Sequence, residues 1–143
     1  MYEVDIRTHF SAAHRLAGYA GDCARPHGHN WEVEVRIRGS DLDEIGMLVD
    51  FREVKKRVAD ALAELDHSDL TAIPAFAGEN PTSENIARYL HGRLSKTLRG
   101  DRYALHRVTV RETMNTGVTY WEEPPARPST GGKRSGRKAG KAR

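Results

Sequence analysis

The densest chemistry in the 143-residue sequence lies in Cys23-Ala24-Arg25-Pro26-His27-Gly28-His29-Asn30. His27 and His29 stand two apart, so in extended chain their imidazoles fall on one face. Gly28 between them is expected to let the backbone pass close to a neighbour. Two adjacent imidazoles are a common start of a zinc site, and the third ligand then comes from elsewhere. His14, in Phe10-Ser11-Ala12-Ala13-His14, is the candidate. Three neutral imidazoles with a fourth position open form a catalytic rather than a structural zinc centre. A lone H-x-H more often marks ordinary polar residues at a strand end. The flanking Cys23 and the remote His14 shift the balance towards metal.

Cys23 has three readings. Beside a dication and near Arg25 the thiolate form is favoured, which makes it a base or nucleophile. It could instead be a fourth zinc ligand, or a free thiol packed in the core. Asp66-His67 is either a turn and helix cap, or an acid–base pair in which the carboxylate orients a proton-shuttling imidazole. Glu112 is either a solvated strand-end residue or an acceptor for the N–H edge of a planar heterocycle.

Period-two alternation predicts strands over Tyr2 to Phe10 and Trp31 to Arg38. A shorter strand or strand end is expected at Met47-Leu48-Val49. Asp50 is the expected cap of a helix running to about Leu65, with Phe51, Val54, Val58, Leu62 and Leu65 recurring at three and four. Thr82 caps a second helix carrying Ile86, Tyr89 or Leu90, Leu94 and Leu98. His106 to Arg111 and Val118 to Glu122 complete the strands. The order implies an α+β fold, a four-stranded antiparallel sheet with two helices on one face. Its two open edges favour closure through oligomerisation.

The net charge of +3 is unevenly spread. Residues 126–143 hold seven Lys and Arg and no acid, so the remainder carries −4. We expect a domain over 1–124 and a disordered basic tail over 125–143, solvated or in loose contact with nucleic acid. No stretch approaches the ~18 apolar residues of a membrane span. The alternating N-terminus does not read as a signal peptide. One cysteine excludes an intrachain disulfide, and a reducing cytoplasm is the expected home.

In chain order, FSAAH (10–14), CARPHGH (23–29), GMLVDF (46–51), LDH (65–67), PTSEN (81–85) and RET (111–113) resemble one family's landmarks. That family is the 6-pyruvoyl-tetrahydropterin synthase/6-carboxy-tetrahydropterin synthase family. The resemblance runs from about Tyr2 to Glu122. It implies that His14, His27 and His29 bind Zn2+, and that Cys23, Asp66 and His67 move protons. It implies that Glu112 anchors the pterin ring, with Thr82 and Ser83 close by. It further implies the tunnelling fold (T-fold), in which three subunits close their sheets into a barrel. Two trimers stack into a homohexamer, with active sites between subunits.

The three residues between Cys23 and His27 resemble the 6-carboxy branch of 7-deazaguanine (queuosine) biosynthesis. The pyruvoyl branch typically has a longer gap. Ser68 departs from the second histidine that many carboxy-branch enzymes place after LDH. The implied reaction is zinc-dependent conversion of 7,8-dihydroneopterin triphosphate to 6-carboxy-5,6,7,8-tetrahydropterin, releasing acetaldehyde and triphosphate. One alternative is 6-pyruvoyl-tetrahydropterin synthesis, without carbon–carbon cleavage. An alternative of another class is a non-catalytic, zinc-stabilised nucleic-acid-binding module. Arg15 and Arg25 are expected, from position alone, near the triphosphate.

Overall fold

The computed structural model describes residues 1–123, and the basic tail lies outside them. Strand β1 (Tyr2–His14) buries Ile6, Phe10, Ala12 and His14 along one face, as period two requires. In β2 (His27–Gly39) Trp31, Val33, Val35 and Ile37 are fully buried. The two pair antiparallel along their whole length, from Tyr2 opposite Gly39 to His14 opposite His27.

Both strands are therefore longer than alternation alone predicts, and the histidines belong to the ladder rather than to loops. Part of the reason is β3 (Ser68–Asp69), which pairs in parallel with Ala12 and Ala13. It supports the end of β1 from outside. Gly28 does not behave as expected. A Cβ there would meet Ala12 O at 3.7 Å, an ordinary contact, so nothing among the described residues demands glycine.

Helix α1 (Phe51–Leu62) starts at Asp50, whose side chain accepts from the Arg52 N–H at 2.8 Å. It ends three residues before Leu65, which stays fully buried in the following turn. Phe51 leaves the predicted apolar stripe and is 56% exposed. Met47–Val49 is irregular rather than a strand. Asp43 Oδ1 accepts the Ile45 and Met47 N–H groups, and Gly46 turns the chain at φ 85°.

Helix α2 (Ser83–Leu94) is capped by Thr82 Oγ1, which accepts from the Asn85 N–H at 3.2 Å. Leu90, not Tyr89, takes the fully buried position. Strands β4 (Tyr103–Thr113) and β5 (Thr116–Trp121) follow as an antiparallel hairpin. The sheet order is β3-β1-β2-β4-β5, so the sheet has one more strand than expected, and that strand is parallel. The α+β arrangement is as read from the sequence.

The apolar sheet face and both helices form one core containing Trp31, Val54, Leu65 and Leu90. The other face is charged. Glu3 receives Arg36 and Arg38, and the nearly buried Glu34 receives Arg7 at 3.0 Å and also Arg36. β5 is one open edge. Most of β1 is the other, since β3 covers only Ala12 and Ala13. Among the described residues no helix is long and apolar enough to cross a membrane.

Candidate active site

The β1–β2 register places His14 directly opposite His27, with His29 opposite Ala12. All three side chains share the helix-covered face of the sheet. Their rings lie 4.6 to 5.2 Å apart between centroids. One ligand atom from each falls within 4.8 Å of the others.

Backbone carbonyls set the tautomers. His14 Nδ1 lies 2.8 Å from Pro81 O, and His27 Nδ1 lies 2.7 Å from Arg25 O. A carbonyl only accepts, so each Nδ1 carries the proton and each Nε2 presents a lone pair. Those two Nε2 atoms stand 3.0 Å apart. With both rings neutral their lone pairs face each other, an arrangement that a cation bound between them relieves. His29 Nε2 is buried with no hydrogen-bond partner.

Burial pushes His29 below the usual histidine range, and Glu112 opposes this. A neutral imidazole with an unused nitrogen suits metal ligation. The donor set therefore fits a zinc ion bound by three imidazoles.

Trp31 packs edge-on against the cluster, 4.9 Å from His14 and 5.1 Å from His29 between centroids. Its indole N–H donates to Ala12 O at 3.2 Å. Glu112, near the end of β4, brings Oε1 to 3.6 Å from His14 Nε2, with its side chain 30% exposed. It is thus a partly open carboxylate beside the histidines rather than a free strand end.

Cys23 sits half-buried in a 3-10 turn over Asp22–Ala24. It does not join the ligand group, so the fourth-ligand reading finds no support among the described residues. Asp66 and His67 form a pair of their own, with Asp66 Oδ1 3.0 Å from His67 Nδ1. The same oxygen accepts from the Ser11 N–H at 2.9 Å, and the His67 N–H donates to Ser11 O at 2.6 Å. The Ser11 bond first, and then His67, hold the Asp66 carboxyl below the usual carboxylate range.

His67 has φ 56°, the left-handed region that a non-glycine residue rarely occupies. Its side chain is 83% exposed. His67 and His29 both line a shallow depression with Ala13, Gly28 and Ser68. Thr82 accepts the α2 capping bond through its hydroxyl, and Ser83 opens that helix two residues after Pro81. Arg15 and Arg25 are exposed on the loop between β1 and β2.

Sequence reasoning missed Asn80 and Pro81, the Ser11 backbone and the packing role of Trp31. Backbone carbonyls carry no residue signature. Trp31 did leave a signal, standing two residues after His29 and so on the same strand face.

Residues 3–123 match the family described as 6-pyruvoyl tetrahydropterin synthase. The chain belongs to that family. It is similar to a putative 6-carboxy-5,6,7,8-tetrahydropterin synthase of Archaeoglobus fulgidus, 40% identical over 65% of this chain and 76% of that one. It is also similar to the 6-pyruvoyl tetrahydrobiopterin synthase of Homo sapiens, 35% identical over 82% of this chain and 90% of that one. Among solved structures, the 6-pyruvoyl tetrahydropterin synthase of Caenorhabditis elegans superimposes with a TM-score of 0.76 at 29% identity. That match covers 85% of this chain and 96% of the other. The fold is therefore the tunnelling fold, and the family is one of pterin synthases. The relatives divide between the carboxy and pyruvoyl activities.

Proposed function

We propose that the protein is a zinc-dependent lyase converting 7,8-dihydroneopterin triphosphate to 6-carboxy-5,6,7,8-tetrahydropterin, with release of acetaldehyde and triphosphate. Its product would feed 7-deazaguanine synthesis. The observation that carries this is the convergence of His14, His27 and His29 beside Glu112 in a chain of this family. The three-residue gap between Cys23 and His27 favours the carboxy product. The similarity to the human protein keeps the pyruvoyl product as a second reading.

His14, His27 and His29 hold the zinc, which supplies Lewis-acid polarisation of the substrate's side-chain hydroxyls. Glu112 accepts hydrogen bonds from the pterin N–H edge, with Thr82 and Ser83 at its side. Cys23 removes a proton from the side-chain carbon. His67, oriented by Asp66, moves protons to and from the hydroxyls. Each transfer contributes about 10²- to 10⁴-fold in rate. The open edges of β1 and β5 support closure of three sheets into a barrel and assembly as a hexamer, with active sites completed between subunits.

The test is anaerobic incubation of zinc-loaded protein with 7,8-dihydroneopterin triphosphate, with products read by mass spectrometry. Acetaldehyde with the 6-carboxy product is expected. A pyruvoyl product without acetaldehyde moves the enzyme to the second reading. No conversion by folded, zinc-loaded protein overturns both.

A further inference from the structure

Twelve residues, 15–26, separate His14 from His27, and they carry Cys23. This loop includes Gly18 at φ 80° and Gly21, and most of it is exposed. A loop of that composition does not hold a thiol still by itself. Among the described residues, besides His27, whose Nδ1 donates to Arg25 O at 2.7 Å, two side chains from outside the loop bond to its backbone. Thr71 Oγ1 accepts the Arg15 N–H at 3.1 Å. The other side chain is Asn80, which bonds twice to one residue.

Asn80 Oδ1 accepts the Ala17 N–H at 2.9 Å, and its Nδ2 donates to Ala17 O at 2.9 Å. The carboxamide thus pairs with Ala17 as a neighbouring strand would. Only a planar group offering one donor and one acceptor at that spacing can do so. The residue before Ala17 continues the connection, because the Leu16 N–H donates to Cys23 O at 2.8 Å.

Asn80 is itself anchored. Its carbonyl accepts from the Thr82 N–H at 2.8 Å and from Asn85 Nδ2 at 2.8 Å, at the start of α2. The next residue, Pro81, holds His14 through its carbonyl. Two consecutive residues therefore grip the two parts of the site. A backbone carbonyl orients a metal ligand, and the adjacent side chain clamps the loop of the thiol.

We propose that Asn80 is a positioning residue that holds Cys23 in place relative to the three-histidine centre. The proposal rests on the reading of Cys23 as the base. A displacement of about 1 Å at a reacting group costs about 10²-fold in rate. Loss of the clamp therefore acts on kcat. Zinc binding persists, because the Pro81 carbonyl is not altered.

The test uses full-length Asn80→Ala and Asn80→Asp, with Cys23→Ala as the reference. Asp keeps the acceptor for the Ala17 N–H but loses the donor. Three quantities are read: kcat and KM with zinc, zinc per chain, and the iodoacetamide alkylation rate of Cys23 in zinc-free protein. Cys23 is the only cysteine, so alkylation reports on it alone. Asn80→Ala should lower kcat about 10²-fold with KM little changed. It should speed alkylation and keep one zinc, and Asn80→Asp, which sets a carboxylate oxygen against the Ala17 carbonyl, should also lower kcat and speed alkylation.

Unchanged kcat and alkylation in Asn80→Ala overturn the proposal where Cys23→Ala abolishes turnover. Retained turnover in Cys23→Ala instead removes the base reading, and alkylation alone then decides the clamp. Loss of zinc in folded Asn80→Ala also overturns it, by assigning Asn80 to the metal site. Should Asn80→Ala fail to fold, Asn80→Asp carries the same readouts.

Discussion

Replacing His27 with alanine removes one corner of the histidine triangle and should abolish zinc-linked stability. Zinc–nitrogen bonds of about 2.0–2.1 Å at tetrahedral angles hold ligand nitrogens about 3.3–3.4 Å apart. His14 and His27 Nε2 already stand 3.0 Å apart, and all three ligand atoms lie within 4.8 Å. One pair therefore opens by a few tenths of an ångström, and the third nitrogen moves inward by about 1.5 Å at most. The site is nearly preformed, so little binding free energy is lost to rearrangement.

Free zinc at 1,000 times its Kd stabilises the native chain by about 4.1 kcal/mol. An unfolding entropy of about 2.1 cal/mol/K per residue gives about 0.26 kcal/mol/K over a domain of this size. The expected rise in Tm is then about 16 °C. Scanning calorimetry of chelator-stripped protein, with and without zinc, measures it. His27→Ala should show no such rise at the same zinc concentration. Its zinc-free Tm should stay near the parent's, because His27 is only half-buried and its loss relieves the facing lone pairs. An equal zinc-induced rise in His27→Ala, with one zinc per chain, would refute the three-histidine centre.

His67→Asn should separate stability from activity. Asparagine tolerates the left-handed φ of 56°, so the unfolding free energy should hold or rise by up to about 1 kcal/mol, while kcat falls about 10²- to 10⁴-fold; retained kcat would remove His67 from the proton path. Glu112→Gln should raise KM about 10- to 100-fold, the loss expected when a charge-assisted bond becomes a neutral one. A steady-state KM equal to the parent's would count against the anchoring role. Bonds from Arg38 first, and then Arg36, hold the Glu3 carboxyl down at about 2 from its ordinary 4.5. Below pH 4.5 the unfolded chain therefore binds more protons at this position, and stability falls as pH drops from 4.5 towards 2. Urea titrations across that window should show a shallower pH slope in Glu3→Gln, and an identical slope would mean the charged sheet face does not hold that carboxylate.

The secondary elements were legible where periodicity was strong. Trp31, Val33, Val35 and Ile37 alternate and are buried together, and the Asp50 and Thr82 caps act where their types and positions suggest. Element ends were less so. α1 stops at Leu62 although Leu65 is buried, because a turn can aim a leucine at the core as well as a helix can. β3 was invisible, since two residues carry no period and only their pairing with Ala12 and Ala13 makes them a strand.

The donor types were also written in the sequence. His27 and His29 share a face because the strand period is two, and His14, Glu112 and the Asp66–His67 pair were nameable one by one. What the sequence alone could not decide is which atoms meet. The register of β1 on β2 places His14 opposite His27, and a one-residue slip would turn its imidazole to the charged face. The Pro81 and Arg25 carbonyls choose the imidazole tautomers, and Ser11 fixes Asp66 and His67 by backbone groups common to every residue type. Residue identity determined the chemistry available here. Long-range hydrogen bonds, made by atoms that the side-chain alphabet does not encode, decided its geometry.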